Sequence, residues 1–213
     1  AQEIKEEQGE EAARSYYERA SLAYADFLDQ FPKSPKYMEM LDRYANVEMF
    51  GLGHFENAAD LYAQLRDHKH KDNTYVEEAA NSVLEARAQI IQALAARQDP
   101  ENPAIPEKLF DASDGSTLAD IQISDSKDPT APRKVTGKEI PEPVVRWIDE
   151  AQKYIAFKFP GKDNREYNGL LAFRIAKIYF RYGHFEKARD QYNIVLEDYG
   201  DNELLSVYCY TDL

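Results

Sequence analysis

Apolar side chains recur at steps of three and four along most of this chain, the period of helices that bury one face. From Ala13 the positions Tyr16, Tyr17, Ala20, Ala23, Tyr24, Phe27, Leu28 and Phe31 keep that spacing, after a Glu-rich lead-in over residues 1–11. Pro32 and Pro35 end this helix, because proline lacks a backbone donor and crowds the turn before it. A second helix is expected over about 37–51 and a third over about 55–66. The polar run 67–73 separates these from a long helix over 75–97, with Val76, Ala79, Ala80, Val83, Ile90, Ile91 and Leu94 inward.

The helical period then stops. Residues 99–142 hold six of the ten prolines among Ser, Thr, Asp and Gly. Inside this interval, 119–124 alternates with period two and 133–136 is a candidate to pair with it as a small β-hairpin. Helical order resumes at Pro143, a residue favoured in a first turn. Val144, Trp147, Ile148, Ala151, Ile155 and Phe159 form its stripe, closed by Pro160 and Gly161. Leu170, Leu171, Phe173, Ile175, Ala176, Ile178 and Tyr179 mark the next helix. Ala188, Tyr192, Val195, Leu196 and Tyr199 mark another, closed by Gly200, and a last helix starts near Glu203 and is expected to be cut off.

One stretch occurs twice. Gly53-His54-Phe55-Glu56 returns as Gly183-His184-Phe185-Glu186, and Ala58, Asp60 and Tyr62 return as Ala188, Asp190 and Tyr192 at the same offsets. Glycine tolerates the positive φ that ends one helix. Phe, Ala and Tyr then lie along one buried stripe of the next. A small residue with an aromatic four positions on lets a partner helix approach and fills the space beyond it, so the unit reads as helix-turn-helix.

These residues resemble the tetratricopeptide repeat (TPR), whose pattern also asks for a small residue and then Tyr in the preceding helix. Ala176 and Tyr179 meet that demand before Gly183. Before Gly53, Ala45 and Met49 stand one residue out of step, which suggests a one-residue insertion in that helix. Numbered as second (B) and first (A) helices, the chain reads B, A, B, A, insertion, B, A, B, A. The insertion 99–142 falls at an A-to-B turn, where solenoids carry additions on one edge. Pro32 to Gly53 spans 21 residues and Pro160 to Gly183 spans 23, wider than the usual period of about 34 residues gives. With Phe31-Pro-Lys-Ser-Pro35 between helices, the chain is similar to long-repeat TPR proteins of the bacterial envelope. The closest types are outer-membrane assembly lipoproteins and Tol-associated division coordinators. The likeness covers 12–66 and 143–213 well, the middle helix less well and the insertion not at all.

The resemblance implies an all-α, right-handed superhelix of αα pairs whose A helices line a concave surface. On the helix before Gly183 the residues implied to face that groove are Leu170, Phe173, Lys177, Phe180 and Arg181; Asn46 holds a corresponding place in the earlier repeat. Gly53, Ala58, Tyr62, Gly183, Ala188 and Tyr192 are implied to define the repeats structurally. The chaperone-binding TPR class grips a terminal carboxylate with Lys and Asn. Those positions hold Phe173 and Lys177 here, and Asp42 and Asn46 earlier, so that ligand is disfavoured.

Composition narrows the partners. A net charge of −13 argues against a phosphate-backbone binder, which needs clustered cations. A mean hydropathy of −0.67 suits a soluble protein, and no run reaches the roughly 20 apolar residues of a spanning helix. Fifteen Tyr against one Trp suit partly wet helix seams. Cys209 is the single cysteine and has no internal partner for a disulfide; among Val207, Tyr208 and Tyr210 it reads as a buried structural thiol. The start at Ala1-Gln2-Glu3 would suit a mature protein after signal-peptide removal, or a cut made elsewhere.

No constellation in the chain specifies catalysis. His68 and His70, flanked by Asp67 and Asp72, lack the i, i+4 spacing of a helical metal pair and read as a solvated loop. Asp111, Asp114 and Gly115 fail the spacing of a calcium loop. His54 and His184 share a repeat-turn position and read as covering a helix start. The reading is a non-catalytic protein-protein interaction scaffold without cofactor or metal, binding proteins or peptides. It is expected in a periplasmic or outer-membrane-associated assembly for outer-membrane biogenesis, division or surface motility. The domain reading is 1–98 helical, 99–142 insertion and 143–213 helical, with the last repeat expected to be truncated. Two alternatives remain open. One is a ligand-binding or enzymatic module whose pocket the insertion forms, with Asp114 and Asp120 as carboxylates to watch; the other is a cytoplasmic TPR adaptor.

Overall fold

The computed structural model describes residues 9–69, 74–101, 103–106, 108–111, 122–123, 135–159 and 163–212. Among them the architecture is all-α, and the chain divides into two compact units, Ala1–Ile90 and Ile91–Leu213.

The first unit holds α1 (Glu10–Gln30), α2 (Tyr37–Asn46) continuing as a π turn (Val47–Leu52), and α3 (Phe55–Asp67). It also holds most of α4 (Val76–Ala95). Its core is built on small residues. Ala45, Ala58, Ala59 and Ala86 are buried with Met49, Tyr62 and Val83, and a second cluster joins Leu41, Leu65 and Ala79. Alanine at these seams lets helix backbones approach closely, and the Tyr62 ring occupies the remaining space. The inward face of α4 includes Leu84 and Ala86, which the period passed over, while Leu94 is exposed.

Both glycine turns take the same path. Gly53 has φ 69° and Gly183 φ 74°, the left-handed region that favours glycine. The next residues, His54 and His184, share φ −84° with ψ 66° and 60°. Ala58 N–H then donates to the His54 carbonyl at 3.0 Å, and Ala188 N–H to the His184 carbonyl at 2.9 Å. Ala58 and Ala188, and Tyr62 and Tyr192, are correspondingly buried. The copies differ by one residue just upstream. His184 N–H reaches back to the Tyr179 carbonyl, whereas His54 N–H reaches one residue further, to Glu48. The π turn at Val47–Leu52 accommodates that extra residue, as π-bulges do, so the insertion expected from Ala45 and Met49 has a physical form.

The second unit holds α5 (Glu142–Ala156), α6 (Arg165–Arg181), α7 (Phe185–Tyr199) and α8 (Glu203–Asp212). Pro143 sits in the first turn of α5, where a missing donor costs nothing. This helix ends at Ala156, earlier than its apolar stripe suggested. Phe159 beyond it is still buried, its ring 4.9 Å from that of Tyr154. The main core joins α6, α7 and α8 through Ala172, Phe173, Ala176, Ala188, Tyr192, Val195, Leu205 and Cys209.

Part of the 99–142 segment packs into this unit. Ile105 and Leu109 are buried, and the Phe110 ring lies 4.7 Å from Trp147. Gln98 brackets Ile105, with its side-chain amide donating to the Ile105 carbonyl and its oxygen accepting from Ile105 N–H at 2.9 Å. Lys138 N–H donates to the Tyr182 carbonyl at 2.8 Å. Gly137 passes so close that an added Cβ would stand 2.8 Å from the same carbonyl. Gln122–Ile123 (β1) and Val135–Thr136 (β2) pair antiparallel, Gln122 opposite Thr136 and Ile123 opposite Val135. The residues joining them lie outside the described set, as do Asp114, Gly115 and Asp120.

Candidate partner-binding surface

The stripe expected to line an open groove on α6 is mostly interior. Phe173 and Arg181 are fully buried and Lys177 is 3% exposed, while Leu170 and Phe180 are half-buried. Helices α7 and α8 cover Phe173, whose ring lies 5.8 Å from both Tyr192 and Tyr208. Lys177 folds its ammonium over the Phe180 ring at 5.7 Å. Arg181 is covered by the insertion: its guanidinium donates to the carbonyls of Lys108 and of Asp111, the latter at 2.8 Å. Phe173, Lys177 and Arg181 are therefore corrected from partner-facing to structural. The physical reason is that this side of α6 is occupied by Lys108 and Asp111 of the insertion and by the last helix.

Adjacent residues extend the same docking. Tyr182 donates its hydroxyl to the Ala104 carbonyl at 2.9 Å, and burial pushes its phenol pKa up. His184 Nε2 is 2.8 Å from the Lys138 carbonyl. Arg181, Tyr182 and His184 thus hold the backbone carbonyls of Ala104, Lys108, Asp111 and Lys138, so the second glycine turn anchors these parts of the insertion.

The first turn uses its histidine differently. His54 Nδ1 lies 2.9 Å from Glu48 Oε2, and Ser21 Oγ donates to Glu48 Oε1 at 2.5 Å. The Glu48 side chain is 3% exposed, so the π turn carries a carboxylate into the interior. Burial pushes its pKa up, but hydrogen bonds from Asn57, Ser21 and His54 outweigh burial and hold the carboxyl below its ordinary value. Nothing in the apolar period pointed to this network, because Glu48 sits beside Met49 on a face where a regular helix would place it differently.

Asn46 is also committed within the fold. Its amide nitrogen donates to the Asp42 carbonyl at 2.8 Å, and its oxygen accepts from Tyr62 Oη at 3.1 Å. Asn46, half-buried, thus links α2 to α3. Asp42 beside it has its pKa raised, by burial first and then by Glu78. His68 packs its ring 5.4 Å from Tyr37, and His70 lies outside the described residues.

Depressions lie among the described residues of the second unit. One of about 200 Å³ is bounded by Ile91, Gln92 and Ala95 on one side and by Pro106, Leu109 and Phe110 of the insertion on the other. The second, about 300 Å³ and open, lies where α6, α7 and α8 meet, with Asp163, Glu166 and Asp201 around Arg165. Arg165 pairs with Asp201 at 3.0 Å, and that bond first, with the charge behind it, holds the Asp201 carboxyl below its ordinary value. No group of three or more His, Cys, Asp and Glu placed to share a metal ion occurs among the described residues.

Apolar side chains stay open on several elements, Leu22 of α1 and Phe50 of the π turn among them, and three lie along α8. Leu204, Val207 and Tyr210 are 62%, 57% and 69% exposed, while Leu205 and Cys209 on the opposite side are buried. Comparison with protein-family models, with curated proteins and with solved structures finds no match for this chain. Among the described residues no helix is long and apolar enough to cross a membrane.

Proposed function

We propose that this protein is a non-catalytic protein-binding scaffold built of TPR-like helix pairs. The observation that carries this reading is the duplicated turn: two glycines at matching positive φ, two histidines at matching backbone angles, and buried Ala and Tyr at equal offsets. A repeated helix pair is a module that buries its face by stacking on its neighbours and offers the remaining surface for recognition. On the resemblance to long-repeat TPR proteins, the pairs stack as a right-handed superhelix and the setting is a bacterial envelope assembly. Since the α6 stripe is interior, recognition falls on surfaces other than the one the repeat pattern implies.

A second reading has one observation behind it, the depression that the insertion forms against Ile91, Gln92 and Ala95. At about 200 Å³ it is smaller than the ~300–1,000 Å³ of ordinary small-molecule sites, and protein binding is preferred. The experiment is to isolate the tagged chain from its source cells after reversible crosslinking, and to screen the purified chain against metabolites by thermal shift. The proposal expects a saturable polypeptide partner in the envelope fraction. Stabilisation by a metabolite, with no polypeptide partner, would overturn it.

A further inference from the structure

The insertion builds a slot against the end of α4. Segments 91–95 and 106–111 form its two sides, with about 200 Å³ between them. Both segments are internal to the sequence, so the slot does not depend on where the chain starts or stops. Its inner lining is apolar: Ile91 and Leu109 are buried, and Ala95, Pro106 and Phe110 are partly buried. The insertion's side is held firmly. Leu109 N–H donates to the Pro106 carbonyl at 3.2 Å and Asp111 N–H to the Lys108 carbonyl at 3.0 Å, two turns in succession. The buried Arg181 guanidinium holds the Lys108 and Asp111 carbonyls, and the Phe110 ring rests on Trp147 at 4.7 Å. A site kept in shape beforehand loses little freedom when it is filled.

The mouth of the slot is polar. Gln92, Lys108 and Asp111 are exposed there. Asp111 already has a partner within the fold, whereas among the described residues nothing pairs with the Lys108 ammonium or the Gln92 side-chain amide. The charge left open to an incoming group is therefore the cation of Lys108. Volume sets the scale of the occupant. The slot is smaller than the ~300–1,000 Å³ of sites that enclose a whole small molecule. Its apolar lining suits one large side chain.

We propose that this slot is a socket for a single large apolar side chain of a partner polypeptide, with an Asp or Glu of that partner beside the anchor and set against Lys108. The anchor, a Leu or Phe, covers Ile91 and Leu109 and leaves water behind. Side chains seated in such preformed pockets carry most of the energy of an interface. The carboxylate steers the encounter and fixes its direction. The Gln92 amide, donor and acceptor at the same mouth, is placed for the partner's backbone. The proposal rests on the protein-binding reading and names where on the chain that binding has its anchor.

The test is an NMR titration of the isotope-labelled full chain with short capped peptides of Gly and Ser. One peptide carries Leu-Asp at its centre, a second Leu-Lys and a third Ser-Asp. Isovalerate, an isolated Leu-like side chain with a carboxylate, is the small-molecule probe. The Leu-Asp peptide is expected to bind saturably and more weakly as salt rises, shifting the amides of 91–95 and 108–111 and the Trp147 indole. The Ser-Asp peptide should bind at least about tenfold more weakly, having no side chain to bury. Ala95→Leu puts the chain's own hydrocarbon into the slot and should weaken Leu-Asp binding about tenfold. Lys108→Glu should exchange the preference, favouring Leu-Lys over Leu-Asp by roughly threefold, a gain that a misfolded variant could not show. No saturable binding of Leu-Asp, equal binding of Ser-Asp, or isovalerate bound as tightly as the peptide would overturn the proposal. So would shifts confined to other residues, an unchanged preference in Lys108→Glu, or indifference of a folded Ala95→Leu. Partners crosslinked equally to wild type and to Ala95→Leu would sink the socket and leave the protein-binding reading standing. A chain that crosslinks to no polypeptide and binds none of the peptides sinks both.

Discussion

Gly53 allows the turn geometry to be tested with little interference from packing. A Cβ placed there would meet only the Phe55 ring, at 4.0 Å, so a substitution there strains the backbone without colliding with a neighbour. At φ 69° an L-residue suffers contact between its Cβ and the carbonyl that follows, costing about 1–2 kcal/mol. Replacing glycine also removes freedom from the unfolded chain, which returns about 0.4–1 kcal/mol. Gly53→Ala should therefore lose about 1 kcal/mol net. Gly53→Val, β-branched in the same region, should lose about 1–3 kcal/mol. Gly53→Asn should lose least, since asparagine tolerates the left-handed region. With a urea slope of about 1–3 kcal/mol/M, the Ala variant should move the unfolding midpoint down by roughly 0.3–1 M at unchanged slope. Tryptophan fluorescence reports Trp147 of the second unit, so helical circular dichroism is the better probe of this transition. A valine variant as stable as wild type, or an alanine variant more stable, would refute the assignment. The same order of Asn, Ala and Val is expected at Gly183.

Glu48 gives a pH test: its folded pKa is lowered, so its contribution is present above the unfolded carboxylate range and is lost as pH falls through the folded value. Glu48→Gln should cost about 1.5–3 kcal/mol near neutrality by removing hydrogen bonds to a charged acceptor; the gap to wild type should narrow on acidification, and a gap that widens would contradict the sign. Arg181→Ala leaves the Lys108 and Asp111 carbonyls without their guanidinium inside the protein, a loss of about 2–6 kcal/mol at one to three for each carbonyl. Faster hydrogen exchange at Lys108 and Asp111 should accompany it, and unchanged exchange would argue against the anchoring role. Gly137→Ala should loosen the same docking, because the added Cβ would stand 2.8 Å from the Tyr182 carbonyl; a stability equal to wild type would remove that contact from the account.

The helices and both turns were legible because their signals are local. Apolar spacing set the helices, and glycine followed by buried Ala and Tyr set the turns. Even the π turn left a trace, as a one-residue slip between Ala45 and Met49. What covers each helix was not legible. Phe173, Lys177 and Arg181 look like a binding stripe on a helical wheel, and they become interior because α8 and the described residues about Lys108 and Asp111 come back over them. Those contacts join residues 35 to more than 70 positions apart, and the ones made by Lys108, Asp111 and Lys138 come from a segment with no helical period. Leu94 was misplaced because α4 is apolar beyond the part that its neighbours cover. The exposed face of α8 was hidden for the opposite reason: a helix apolar on both sides reads as core.

The most direct test of the protein-binding account is native mass spectrometry of the chain isolated from its source cells under mild conditions. The account predicts a species heavier than the 24.5 kDa chain by the mass of an intact polypeptide, which dissociates as salt is raised. A species carrying only a small-molecule mass, or turnover of a metabolite by the isolated chain, would contradict it.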